Sequence, residues 1–101
     1  MIRYNVTSKV DPAIAGDWLA WLKEEHIPDM ISTGCFTEAT ILRLLEVDDS
    51  DGPSYAVQYH AMSRDHYDQY IEKFSSAMRK KGIDKWGNQF IAFRTVMQVV
   101  H

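Results

Sequence analysis

The first ten residues alternate between apolar and polar side chains. Ile2, Tyr4 and Val6 fall on one side of an extended chain, and polar residues fall on the other. A period of two is typical of a strand with one buried face. The pattern therefore predicts a strand over residues 2–9.

The period then changes to that of a helix. Asp11 and Pro12 supply an N-cap and a proline for the first turn, and apolar residues recur at helical spacing across residues 14–22. Pro28 disfavours a helical conformation in the residue before it, which predicts a bend or a restart. Gly34 predicts the end of this helical region.

The second half of the chain predicts three strands and one helix. Strands are indicated over residues 36–47 and 54–62, separated by the acidic turn DDSDGP. Ser63 is the expected N-cap of the second helix, basic residues before Gly82 indicate its end, and residues 90–100 form the last strand. The expected buried stripe of this helix consists of Tyr67, Tyr70, Ile71, Phe74, Ala77 and Met78.

The element order is therefore β-α-β-β-α-β, within one domain over residues 1–101. This order predicts an α+β, ferredoxin-like sandwich, in which two helices cover one face of a four-stranded antiparallel sheet. The opposite face, called the open face below, is left without a cover. We expect it to need a ligand, a partner or a second sheet.

Alternation also predicts which side chains point to the helices and which lie on the open face. The expected helix-facing set is Tyr4, Val6, Leu42, Leu44, Val57, Tyr59 and Phe93. A one-residue shift in register would exchange the two sets.

The polar residues expected on the open face are candidates for binding a substrate. They are Asn5, Arg43, Gln58, His60 and Arg94. Apolar walls with a few hydrogen-bonding groups are typical of a small-molecule pocket, and two arginines favour an anionic or carbonyl-rich ligand. The alternative is that both arginines pair with carboxylates of a neighbouring subunit. For His60 the alternative is a hydrogen bond at an interface.

His26 is the candidate catalytic residue. It follows Ile14, Trp18 and Leu22 at four-residue steps, so it faces inward at the expected helix end. A helix C-terminus and the neighbouring Glu25 would both favour a protonated imidazole, which can act as a general acid or base. The alternative is a histidine that caps the last carbonyls. Glu25 is a candidate substrate contact, or else an exposed residue at the rim.

Composition and charge argue against several classes of partner. A net charge of -3 argues against nucleic acid, and the third strand lacks a basic-aromatic signature for RNA. No apolar stretch approaches the roughly 18 residues of a membrane span, and no signal peptide is evident. The four histidines show no metal-ligand spacing, so we expect no metal. A single cysteine, Cys35, predicts a small buried hydrophobe and fits the cytoplasm.

Several segments together resemble a small bacterial family known only as a domain of unknown function. They are MIRYNVTSKVD, WLAWLKEEHIP, TGCF, YAVQY and FIAFRTV. The chain is also similar to the dimeric α+β barrel superfamily, which includes cofactor-independent monooxygenases, muconolactone-isomerase-like enzymes and stress-responsive proteins. That resemblance implies a homodimer with two sheets face to face and a pocket between sheet and helices in each subunit. It also places His26 near the pocket mouth and implies no cofactor.

Two hypotheses follow. In the first, a cytoplasmic homodimer binds a small polar or anionic molecule. If it is an enzyme, a cofactor-independent oxygenase or isomerase, His26 is the acid or base, Arg43 and Arg94 stabilise negative charge, and Asn5 and Gln58 orient the substrate. In the second, the dimer is a non-catalytic scaffold or regulatory module whose open face is entirely interface. The first requires a cavity of roughly a few hundred cubic ångströms between sheet and helices, lined by His26 and at least one of the two arginines.

Overall fold

The structure is a computed structural model that describes residues 1–101, and it confirms the predicted fold class. Its sheet is antiparallel, with the strand order β2-β3-β1-β4. The strands are β1 Ile2–Val10, β2 Glu38–Arg43, β3 Ser54–Ala61 and β4 Phe90–Gln98. The helices are α1 Ala15–Trp21, α2 Ile27–Ser32, α3 Arg64–Lys73 and α4 Ser75–Trp86, with a π-helical segment Leu22–His26 joining α1 to α2.

An aromatic cluster between the helices and the sheet forms the centre of the core. The cluster consists of Tyr4 of β1, Tyr59 of β3, Tyr70 of α3 and Phe36. The rings of Tyr4 and Phe36 each contact the other three rings, with centroids between 4.9 and 6.1 Å apart. All four are almost fully buried. Cys35 lies beside them, only 3% exposed, and is the small buried hydrophobe that its context predicts. No helix of the structure is both long and apolar enough to cross a membrane.

The first helical region becomes π-helical over Leu22–His26, directly before the proline where the sequence predicts a bend or a restart, and it then continues into α2. The Asp11 carboxylate accepts a backbone N–H two residues on, in a turn that precedes α1. The N–H of Ile27 donates to the carbonyl of Leu22, five residues earlier, which is the π-helical bond. Pro28 lies in the first turn of α2, where its missing N–H is not needed. Gly34 has a φ of 80° just after that helix, as its position predicts.

The second helical region begins as expected and ends later than expected. The Ser63 side chain accepts the N–H of His66 and caps α3, which confirms the predicted N-cap. The region is interrupted at Phe74, which has a φ of -125°. It then continues through Gly82, so the predicted end before that glycine is wrong. Gly82 lies in the interior of α4 and is buried there. The helix ends instead at Gly87, which has a φ of 59°.

The turn between β2 and β3 depends on one glycine. Gly52 has a φ of 127°, and a Cβ atom on it would collide with the backbone carbonyl oxygen of Val10. Only glycine fits this close approach. The strand predicted over residues 36–47 is shorter in the structure, since β2 ends at Arg43.

The predicted faces are correct for the two central strands. Tyr4 pairs with Tyr59 and Val6 pairs with Val57, and all four lie against the helices. Because directly paired residues lie on the same face of the sheet, these four residues show which face each of the other strand residues occupies.

The predicted faces are exchanged in the two edge strands. Arg94 is the partner of Val6 and Ile41 is the partner of Val57, so both lie on the helix side. Phe93 pairs with Thr7 instead and is 67% exposed on the open face. Leu42 lies opposite Ala56 and Arg43 opposite Tyr55, so these two also change sides. Both edge strands carry apolar residues at consecutive positions, and such a pattern does not specify a register.

Candidate functional site

A cavity lies between the helices and the sheet. About 60 Å³ of it is open to the centres of water molecules, so the cavity is smaller than the sequence interpretation expects. Its walls are mostly apolar and come from three strands and both helical regions. They include Val6, Val57, Tyr59, Trp18, Leu22, Met30, Tyr70, Met78 and Phe90. We call this space the helix-side cavity.

Two arginines stand at the mouth of the helix-side cavity. Arg94 reaches it from β4 and Arg79 from α4, and both side chains line the cavity while remaining exposed to solvent. None of the ion pairs within the chain involves either residue. Two positive charges without a carboxylate partner therefore lie beside an apolar space.

His26 reaches the cavity because of the π-helical segment. A π-turn places residues five apart on the same side, and the imidazole of His26 stacks on the indole of Trp21. Their ring centroids are 4.7 Å apart and their planes differ by 23°. Both residues line the helix-side cavity.

The protonation expected for His26 is wrong. Burial lowers its pKa to about 4, and the positive charges of Lys81 and Arg94 contribute in the same direction, against the opposing effect of Asp29. The imidazole is therefore neutral at neutral pH. The predicted helix C-terminus does not exist at this position, because the chain continues through the π-helical segment into α2.

Two lining residues carry buried polar atoms without a partner in the protein. They are Nδ1 of His26 and the indole Nε1 of Trp18. A buried polar group without a hydrogen bond costs about 1–3 kcal/mol, so such groups mark places where a ligand can add a bond. The phenols of Tyr59 and Tyr70, also in the lining, stay neutral because burial raises the pKa of each.

The structure brings His26 and Arg94 together, and it places two other predicted residues elsewhere. Glu25 is exposed and lines a neighbouring charged groove with Lys81 and Lys85, outside the helix-side cavity. Arg43 is also exposed, with its guanidinium 3.5 Å from the carboxylate of Asp49 in its own chain. Neither residue contacts the cavity.

Asn5, Gln58 and His60 lie on the open face, as predicted, but this separates them from His26. The sheet stands between the two sets, so the prediction that they line one pocket is wrong. The amide of Asn5 donates to Oγ1 of Thr7 at 2.9 Å. Nδ1 of His60 lies 2.8 Å from a carboxylate oxygen of Glu38. No group of three His, Cys, Asp or Glu side chains is arranged to hold a metal ion.

Arg79 is the site residue that the sequence interpretation missed. It belongs to the spacing i, i+3, i+4, i+7 formed by Ser75, Met78, Arg79 and Gly82, and the other three are buried. The available signal is an arginine on the buried stripe of a helix, about one turn before a glycine. Because the sequence predicts a helix end before Gly82, it predicts Arg79 to be a helix-end charge rather than a cavity residue.

The sheet with its helices on one face places the protein in the ferredoxin-like class of α+β folds. Within that class, the chain belongs to the family described as a domain of unknown function, DUF4286, whose sequence profile matches residues 1–100. The resemblance inferred from the sequence is confirmed.

Two solved structures show how widely this fold is shared. One is a dimeric ferredoxin-like protein from an uncultured marine organism, with a TM-score of 0.76, 8% identity, and coverage of 99% of this chain and 95% of that one. The other is an ethyl tert-butyl ether D (EthD) family protein from Bacillus halodurans, with a TM-score of 0.69, 11% identity, and coverage of 99% and 100%. At these identities the similarity concerns the fold alone. No curated protein matches the sequence.

Proposed function

We propose that this protein is a homodimer that binds a small anionic molecule in the helix-side cavity of each subunit. The observation that carries the proposal is the pair Arg79 and Arg94, two arginines without carboxylate partners at the mouth of an apolar cavity. Arginine binds carboxylate and phosphate groups in a bidentate manner, and the nearby apolar walls exclude competing water.

The lining favours a ligand with three parts. Its anionic group lies between the arginines, its apolar body contacts Met78 and Phe90, and its inner end meets the unpaired atoms of Trp18 and His26. The indole N–H of Trp18 can only donate, so the inner end must offer an acceptor such as a keto, ether or hydroxyl oxygen. A space of about 60 Å³ favours a short carboxylic acid over a larger cofactor.

The open face supports the dimer. Phe93, Ile91 and Leu42 lie on it with 67%, 60% and 43% of their surfaces exposed. Exposed apolar side chains on one sheet face are typical of a protein interface. The marine ferredoxin-like protein of the same fold is a dimer. A second copy placed against the open face leaves both helix-side cavities free. We also propose the cytoplasm as its compartment, since the single cysteine is unpaired.

Thermal unfolding with a panel of short carboxylic acids tests the binding proposal. A ligand at about 100 times its Kd stabilises the folded state by about 2.7 kcal/mol, which for a domain of this size is a rise in Tm of roughly 10 °C or more. We expect that rise with at least one hydroxy or keto acid and not with its amide. In R94Q and R79Q it should fall below about a third of the wild-type rise.

R43Q is the matched control, because it removes one exposed positive charge outside the cavity. It should retain the wild-type response. A panel without any stabilising acid, or an equal loss in all three variants, would contradict the proposal. In that case the second hypothesis, a non-catalytic dimeric scaffold or regulatory module, would be favoured.

A reaction in the same cavity is the second candidate function. The supporting observation is the neutral His26, whose unpaired Nδ1 atom belongs to the same cavity lining as Arg94. A neutral imidazole can accept a proton from a bound molecule while an arginine stabilises the negative charge that develops. A cofactor-independent oxygenase or isomerase is the class implied by the resemblance. If the protein is an enzyme, the wild type should convert the bound ligand, and H26Q should bind the ligand without converting it. If the protein is a scaffold, neither the wild type nor H26Q should convert the ligand.

A further inference from the structure

One end of the open face carries polar side chains on three neighbouring strands. Glu38 of β2, His60 of β3 and Arg3 of β1 are directly opposite one another across three strands. The next row contains Gln58 and Asn5. Side chains directly opposite each other in an antiparallel pair have Cβ atoms about 4.5–5.5 Å apart, so these residues are neighbours. We call Arg3, Asn5, Glu38 and His60 the polar cluster.

Three atoms of the polar cluster are buried and have no partner in the protein. They are Nε of Arg3, Oδ1 of Asn5 and Nε2 of His60. Asn5 is only 9% exposed and His60 only 8%, although the sheet face around them is uncovered. Each unpaired buried group costs about 1–3 kcal/mol, and native structures contain few of them. Three within one small patch therefore indicate a binding site for a polar group.

The contact with Glu38 determines which nitrogen His60 offers to a ligand. Since a carboxylate oxygen of Glu38 lies 2.8 Å from Nδ1, this nitrogen carries a proton and donates it to the carboxylate. The free nitrogen is Nε2, which donates a hydrogen bond when the ring is an imidazolium. The guanidinium of Arg3 is always charged. With the ring as an imidazolium, one carboxylate and two cations give the cluster a net single positive charge.

Asn5 can complete the site without losing its own hydrogen bond. Its amide nitrogen donates to Oγ1 of Thr7 at 2.9 Å. A hydroxyl both donates and accepts, so a half-turn of the amide retains this bond and presents the NH₂ group to the site. Nε of Arg3, Nε2 of His60 and the Asn5 amide are then three donors on one patch.

We propose that the polar cluster is a second binding site, for a small oxyanion such as a carboxylate or a phosphate group. It is independent of the helix-side cavity, from which the sheet separates it. Three donors with one net positive charge match the oxygens and the charge of such a group. Because the proposed second copy covers the open face, the bound anion lies at the edge of, or within, the dimer contact.

Anion titrations of the full-length protein test the site. Sodium phosphate and sodium acetate are added at about pH 6, where an ordinary histidine is largely protonated, and sodium chloride at equal ionic strength is the reference. The ring signals of His60 are followed by NMR. We expect a saturable shift with phosphate, acetate or both, and none with chloride. The two arms identify which oxyanion is preferred.

Variants separate the site from general charge attraction. R3Q and H60Q should each weaken anion binding at least tenfold. Because H60Q lacks the histidine ring that the NMR titration follows, its affinity is measured by calorimetry. R3K retains the positive charge but lacks the Nε donor, so it should also weaken anion binding. It provides a second test of Arg3 in case R3Q does not fold. The matched control is K9Q, which removes one positive charge from the same strand and face and should change the affinity less than twofold.

Two results would overturn the proposal. The first is the absence of any saturable shift with either anion. If R3Q then also dissociates at least tenfold more readily than the wild-type dimer, the polar cluster is assigned to a carboxylate of the second copy. The second is an equal loss in K9Q and R3Q, which would indicate general charge attraction or an adventitious ion only.

Discussion

At the scale of single residues, His26 is where the sequence and the structure differ most in chemistry. Its inward direction was predictable from Ile14, Trp18 and Leu22, which precede it at helical spacing. Its charge state was not, because that depends on how deeply the tertiary structure buries the ring. Desolvation outweighs every nearby charge and leaves the imidazole neutral. This makes His26 a neutral hydrogen-bonding group in the cavity rather than a third cation beside Arg79 and Arg94.

The buried His26 should make the stability of the fold depend on pH. Its folded pKa of about 4 lies below the ordinary 6.5, so the folded state binds the proton less readily than the unfolded chain. Its contribution is fully present above the unfolded pKa and is lost as the pH falls towards 4. Between about pH 7 and about pH 5 the loss should be about 2 kcal/mol in the free energy of unfolding.

Urea unfolding of the wild type and H26F measures this contribution. Carboxylates also respond to acid, so the informative quantity is the difference between the two proteins at each pH. The wild type should lose about 2 kcal/mol more than H26F over that interval. The control is H66Q, which removes an exposed histidine and should follow the wild type. Parallel pH profiles for wild type and H26F would show that His26 titrates normally.

At the scale of elements, two glycines with opposite roles were assigned the same role by the sequence pattern. Gly34 has a φ of 80° and ends α2, as predicted. Gly82 is helical and buried, and a Cβ on it would lie 3.5 Å from Cζ of Phe90 and 3.7 Å from Cη2 of Trp21. These are ordinary van der Waals distances. A helix-interior glycine without steric need is destabilising, whereas a left-handed one is required.

Alanine should therefore have opposite effects at the two positions. G82A should raise the free energy of unfolding by about 0.5–1 kcal/mol, because alanine is the better helix former and its methyl group fits. G34A should lower it by about 1 kcal/mol or more, since alanine disfavours a positive φ. Chemical denaturation measures both changes. A destabilised G82A would contradict the assigned packing of α4 against the cavity.

The strands show how much of the fold was predictable from sequence. All four strands and their order along the chain followed from periodicity and turn residues. The faces of β1 and β3 also followed, since Tyr4 and Val6 alternate with polar residues. The faces of the edge strands were not predictable from the sequence, because FIAFRTV in β4 is apolar at consecutive positions. Only the hydrogen-bonded pairing with β1 determines which of its residues face the helices. That single shift moved Arg94 from the expected open face into the candidate site.

At the scale of the whole molecule, the two sheet faces differ in shape and chemistry. The helix side encloses a small cavity with an arginine-lined mouth. The open face combines exposed apolar residues with the polar cluster. The sheet separates the proposed acid-binding cavity from the proposed dimer contact, so a change on one face should leave the other intact.

Charge placed on the open face should prevent the dimer. Phe93 is 67% exposed there, and F93K would bring a lysine of each copy into the contact. We expect the dimer Kd to rise at least tenfold by analytical ultracentrifugation, because a charge buried without a partner is costly. The control is I83K, which changes a 59% exposed residue on α4, away from this face, and should leave the dimer unchanged. A wild type that sediments as a stable monomer would contradict the proposed assembly.

Native mass spectrometry of the purified protein, with the acid that stabilises it most, tests the central claim most directly. The account predicts twice the mass of one chain, with up to two ligand masses added. R94Q should keep the doubled mass and lose the ligand masses, while F93K should appear as a single chain that still binds one ligand. A monomeric wild type, or a dimer to which no small acid adds, would contradict it.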